Sequence, residues 1–198
     1  MRETAKRVGI WGLTMGMMAT ALPTLAQWEL DDAKSSVDFI TVKNLAVAES
    51  HSFDSLMGFI GQDGNATVTI NLDSVNTLIE IRDERMRELL FETAEFPTTT
   101  ISALIEPDIL TAAADGRAMS RDVTFAVSMH GLEKKYTAPV VVFGDEASLR
   151  VVTAKPIVVS AADFGLAGGV EALRAVAGLT NISTAVPVSF NLLFEYAR

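Results

Sequence analysis

The chain has 198 residues, enough for one domain with a substantial core. Its formal charge is −9 and it shows no basic stripe interleaved with aromatics, which excludes a nucleic-acid-binding surface and makes an anionic membrane a poor partner for the molecule as a whole. Cysteine is absent, which removes disulfides, thiolate metal sites, a cysteine nucleophile and a lipoprotein anchor together, so the core alone must hold the fold.

Residues 1–26 read as a Sec-type signal peptide. Arg2, Lys6 and Arg7 form a basic start, Val8 to Leu22 is uncharged, Pro23 breaks the helix, and Thr24-Leu25-Ala26 offers small residues for cleavage before Gln27. This predicts a periplasmic or secreted protein whose single domain occupies residues 27–198, with no stable membrane insertion after leader cleavage, because no later uncharged apolar run reaches the length of a span. An uncleaved N-terminal anchor is the alternative, although the apolar stretch is short for that role. There is no twin arginine, so a cofactor loaded before export is not expected.

After the leader the pattern is mostly that of strands. Trp28-Glu29-Leu30 opens, and Val37 and Phe39 alternate with polar neighbours. Phe53, Leu56, Phe59 and Ile60 lead to Asp63-Gly64-Asn65, a hairpin signal, since Gly and Asn tolerate positive φ. In the return strand Val68, Ile70 and Leu72 alternate with Thr67, Thr69 and Asn71. Between Arg82 and Glu88 the apolar period changes to that of a helix, with Met86, Leu89 and Leu90 on one face and Asp83 at the expected N-cap. Pro97 closes the segment and forces Phe96 to be extended.

Thr98 to Ile105 is a β-branched strand, and Ala112 to Arg117 reads as a turn marked by Asp115-Gly116. Val123, Phe125, Val127 and Met129 form the cleanest half-buried strand. Thr137 to Phe143 and Leu149 to Thr153 pair around Gly144-Asp145-Glu146, and Pro156 to Ser160 continues as a strand. Gly168-Gly169 precede a small apolar helix of Val170, Leu173, Val176 and Ala177, which Gly178 stops. The last strand puts Val186, Val188, Phe190, Leu192 and Phe194 on one face. The whole predicts an all-β protein of about eight strands with one or two short helices. Single-faced strands need a second sheet or closure on themselves, and about eight strands close into a barrel wide enough for one small ligand.

No catalytic constellation stands out. His51 and His130 are far apart in sequence and read as structural, His51 as a hydrogen-bonded or exposed loop residue, and neither belongs to a metal-ligand pattern. No metal, cofactor or enzymatic activity is expected. Arg82, Arg85 and Arg87 beside Asp83, Glu84 and Glu88 read as a solvated helix face; the sharper reading turns Arg82 or Arg85 toward the barrel mouth to hold a polar or pyrophosphate head. Phe39, Phe59, Leu90, Phe91, Phe125, Met129 and Phe190 suit either a packed core or the lining of a hydrocarbon cavity.

The segment around the predicted helix carries a resemblance. Ser74, Thr77, the Arg82-Asp83 pair, Met86, Phe91 and Phe96-Pro97 are similar to the signature of the YceI-like family. Trp28 with the first strand, His130-Gly131-Leu132 at a corner, Pro139-Val140, Phe164-Gly165 and the closing strand fit as well, so the likeness spans most of residues 28–196. Leu166 to Thr184 is longer than in better-known members. The resemblance implies an eight-stranded, antiparallel lipocalin-like barrel that binds a polyisoprenoid or similar long apolar molecule, and it supplies no catalytic residues. The expected function is therefore an exported, non-catalytic carrier of a polyisoprenoid, quinone or fatty-acid derivative. Its alternative is a periplasmic protein-interaction module with a solid barrel core. Oligomeric state is not written in the sequence.

Overall fold

The computed structural model describes residues 27–197, so the signal-peptide reading of residues 1–26 lies outside the described residues. Twelve strand segments follow in order: β1 (Trp28–Leu30), β2 (Ser36–Lys43), β3 (Val47–Phe53), β4 (Leu56–Ile60), β5 (Asn65–Asn71), β6 (Val75–Asn76), β7 (Thr98–Leu104), β8 (Met119–Met129), β9 (Leu132–Gly144), β10 (Ser148–Thr153), β11 (Ile157–Ser160) and β12 (Ala185–Tyr196). Three α-helices interrupt them: α1 (Glu80–Arg85), α2 (Pro107–Ala114) and α3 (Ala167–Val176).

Eight segments close into an antiparallel ring, β1-β4-β5-β7-β8-β9-β10-β12, with β12 returning to β1 through Leu30↔Phe194. The expected eight-stranded barrel is therefore present. The other four segments prolong that ring at one end. β2, β3, β6 and β11 follow or precede β1, β4, β5 and β10 after short breaks, and β2 pairs with β3 and β12 just as β1 pairs with β4 and β12. Short polar side chains hold these breaks. Leu56 N donates to Asp32 Oδ1, Ser55 N to Ser74 Oγ, and Asp73 N to Asn71 Oδ1. Such local bonds compete with ladder pairing and let a strand change direction.

Below the breaks apolar side chains fill most of the barrel. Leu56, Ile60, Val68, Val140, Val142, Leu149 and Phe194 are buried there, and α2 plugs the end with Ile109 and Ala113. Helix α2 replaces the turn expected from Ala112 onward. Pro107 stands in its first turn, where a missing N–H costs nothing, and the predicted Asp115-Gly116 turn ends it, with Gly116 at φ +79°. Above the breaks the ring flares. Two covering elements, α3 and the π-helical turn Met86–Phe91 that continues α1, close this end and touch one another.

Candidate functional site: an apolar chamber with a charged mouth

The flared half encloses a chamber of about 400 Å³. Inward positions of β2, β3, β7, β8, β11 and β12 form its wall; Leu90, Phe91, Val170 and Leu173 from the two covering elements form its roof. Were this space a packing defect, at about 24 cal/mol per Å³ it would cost on the order of 10 kcal/mol, comparable with the whole stability of a domain. A solid barrel core therefore does not describe the upper half of the molecule.

One wall is a run of rings. His51 lies 5.3 Å from Phe39, Phe39 5.2 Å from Phe53, and Phe53 5.9 Å from Phe91. Phe39, Leu90, Phe91, Phe125, Met129, Phe190, Arg82 and Arg85 all line the chamber. Phe59 does not. Strand β4 turns Leu56 and Ile60 inward, so Met57 and Phe59 face out, and Phe59 is 45% exposed on the outer surface of the barrel. The two-residue period assigns it there once Ile60 is fixed inside.

The polar residues gather at one end, between the β2–β3 hairpin, α1 and the residues after α3. Thr41, Lys43, Glu49, His51, Arg82, Arg85 and Ser183 line the chamber there. Arg82 has every guanidinium nitrogen engaged: Nε donates to Thr77 Oγ1 at 2.8 Å, Nη2 to the Thr77 carbonyl at 2.7 Å, and Nη1 to Glu49 Oε2 at 2.7 Å. Lys43 Nζ meets the same Glu49 oxygen at 2.7 Å. These two cations, Lys43 foremost, hold the Glu49 carboxyl below its ordinary range against the opposing effect of burial.

Asp83 is not the N-cap. Helix α1 begins three residues earlier, and Asp83 instead accepts from the backbone N–H and hydroxyl of buried Thr77, fixing the turn that leads into the helix. The solvated i, i+4 pairing expected around Arg82 is replaced by this bond network to β3. Arg85 differs from Arg82. It is half-buried in the chamber wall, and among the described residues no carboxylate or carbonyl accepts from its guanidinium.

His51 is buried in β3, not in a loop. Its Nε2 shares a hydrogen bond with Thr41 Oγ1 at 2.9 Å. Burial first, then the nearby Arg82 charge, push its pKa down and keep the ring neutral. Sequence patterning missed Lys43, Glu49 and His51 because they are polar residues facing inward, where a two-residue period expects apolar ones. The Phe39↔His51 register, read from the hairpin, is the signal that would have found the histidine. His130 is structural, its ring tilted against Phe96 with centroids 4.1 Å apart and hydrogen-bonded to Glu92. Exposed aliphatic side chains rim the mouth region, with Leu45 on the hairpin tip and Leu78 before α1 both above 80% exposed.

Among the described residues no group of three or more His, Asp or Glu side chains could hold a metal ion, and no helix is long and apolar enough to cross a membrane. A closed antiparallel barrel with one apolar chamber and a polar mouth defines an apolar-ligand-binding barrel. Residues 28–194 match the YceI-like domain, and the chain belongs to that family. Membership places it among barrels that bind lipids and other apolar ligands. Among solved structures, a polyisoprenoid binding domain from Saccharophagus degradans implicated in plant cell wall breakdown is 35% identical, with TM-score 0.84, covering 87% of this chain and all of that one. BcnA of Burkholderia cenocepacia is 20% identical, with TM-score 0.62 over 83% of this chain and 98% of that one. A Campylobacter jejuni YceI mutant carrying a monobromobimane guest is 14% identical, with TM-score 0.57 over 79% of this chain and 91% of that one. The last two share the fold alone. A search of the curated proteins returns no match.

Proposed function

We propose that this protein is an exported carrier that holds one long prenyl or related hydrocarbon chain in the upper chamber, with an anionic or strongly polar head at the mouth against Arg85. The chamber carries the reading: its volume is about 400 Å³ and its lining is almost wholly apolar. Each buried methylene contributes about 0.8 kcal/mol, so a chain of modest length binds tightly without any strong polar motif. The polyisoprenoid-binding description of the 35%-identical Saccharophagus domain supports a prenyl ligand. Arg85, not Arg82, is the anchor, because the guanidinium of Arg82 is committed to Glu49 and Thr77. A half-buried cation without a counter-ion is costly, and a ligand phosphate or carboxylate would relieve that cost.

The test is to purify the protein from its own host, extract it with organic solvent and identify the released lipid by mass spectrometry. A prenyl or comparable long-chain lipid near one per protein is expected. Recovery of none, together with failure of the stripped protein to take up prenyl lipids, would overturn the assignment. Residues 1–26 support export to the periplasm or beyond. Fractionation with N-terminal sequencing should find a mature chain beginning at Gln27, and retention of the full leader in the cytoplasm would refute that.

A further inference from the structure

The barrel holds a second, smaller void of about 80 Å³ beneath the first, entirely apolar and closed below by Ile109 and Leu110 of α2. Val37, Ile101, Phe125 and Phe190 line both spaces, so these four side chains are the partition between them. The two phenylalanines differ in how they are held. Phe125 is buried and stacked on Tyr136 with ring centroids 6.0 Å apart. Phe190 is only half-buried and has no stacked ring among the described residues. Below the partition, Ala66 and Ala103 face one another across β5 and β7 and leave the space that larger residues would fill.

The geometry points to a distal subsite for the end of the hydrocarbon tail. The lower void takes the terminal segment of the longest chains, Phe125 is the fixed side of the passage, and Phe190 is the side that yields. Together they set which tail lengths the carrier accepts. A side chain can rotate about its staggered minima far more cheaply than a strand can move, so the passage opens at Phe190 without disturbing the ring. This rests on the carrier reading above and adds to it a rule of chain-length selection.

The experiment uses stripped mature protein and a ladder of all-trans prenyl alcohols of increasing length, beginning with farnesol, and records which lengths are retained by native mass spectrometry. Ala103→Leu fills the lower void without touching the upper chamber. It is expected to lower the upper length limit by at least one prenyl unit while the shortest alcohols bind within twofold of wild type. Phe190→Ala opens the passage and is expected to raise the limit. The two variants alter packing in opposite senses, so either one that folds tests the idea. An unchanged length limit in the folded variants overturns the distal subsite and leaves the carrier reading intact. Retention of no alcohol by wild type overturns both.

Discussion

At the residue scale the two arginines of the mouth are adjacent on one helix yet have opposite duties. Arg82 ties α1 to β3 through Glu49 and to its own entry turn through Thr77. Replacing it by glutamine leaves buried Thr77 and the Glu49 carboxylate short of a donor. The expected loss is about 1–3 kcal/mol of stability, read as a lower denaturation midpoint. Arg85→Gln removes a charge that nothing in the described chain neutralises, so stability should hold or rise slightly. Its effect belongs to binding: affinity for a prenyl diphosphate should fall about tenfold or more, the worth of one charge-assisted bond, while the parent alcohol binds as before. Titration calorimetry on both ligands checks this, and equal losses for diphosphate and alcohol would remove Arg85 as the head contact.

His51 gives a second residue-level expectation, in pH. Its folded-state pKa is depressed below the ordinary 6.5, chiefly by burial. The unfolded chain therefore takes up a proton on this ring before the folded one does. Stability attributable to His51 is fully present above about pH 6.5 and is lost as pH falls from there through the folded-state value. His51→Gln keeps a polar partner for Thr41 and carries no titrating group. Its melting temperature should vary less than that of wild type between pH 6.5 and the lower window where Glu49, also depressed, begins to titrate. Parallel curves for the two proteins would show that the ring contributes nothing.

At the element scale the strands were legible and the covers were only partly so. The alternations of Val68-Ile70-Leu72, Phe125-Val127-Met129 and Val188-Phe190-Leu192 decide their faces unaided, because a slip of one residue would put every large apolar group in water. Helix α2 was not legible, since its buried residues Ile109, Ala112 and Ala113 are too few and too small to impose a helical period. The π-helical turn also escaped. An α-helical spacing expects Met86, Leu89 and Leu90 on the inner face, whereas the observed widened turn buries Met86 and Phe91, five residues apart, and packs in contact with α3. That contact sits at Gly169, where a Cβ would lie 2.5 Å from the Leu89 carbonyl oxygen and 2.8 Å from Leu90 Cα. The glycine is there for close approach of two backbones, not for an unusual φ. Gly169→Val must push α3 away from the turn and open the roof. Faster release of a preloaded fluorescent lipid in a stopped-flow chase, with the barrel's far-UV spectrum unchanged, is the expected result; an unchanged release rate would mean the ligand does not leave between these two elements.

For the molecule as a whole, stability and occupancy are one problem. The lower half packs closely around one small void above α2, without disulfides to help, and the upper half spends its apolar surface on a larger space. Whether the inward-facing residues surround a core or a chamber was not legible in the sequence. Phe39, Phe91 and Phe190 read the same either way, and only the flare created by the polar breaks at Asp32, Asn71 and Ser74 separates the walls. A ligand bound only by the folded state stabilises it by roughly 2.7 kcal/mol when present at a hundred times its dissociation constant. Stripping the lipid should therefore lower the melting temperature by several degrees, and adding it back should restore the loss. Filling the chamber from within should have the opposite signature. Val188 lines the chamber from the middle of β12, between Phe39 and Ile157 in the sheet. Val188→Phe adds apolar contacts where there were none, so the stripped variant should melt at or above the stripped wild type and gain nothing from added lipid. Thermal scans of the four samples decide the matter: if the variant still responds to lipid as wild type does, the guest lies elsewhere and the chamber is not the site of loading.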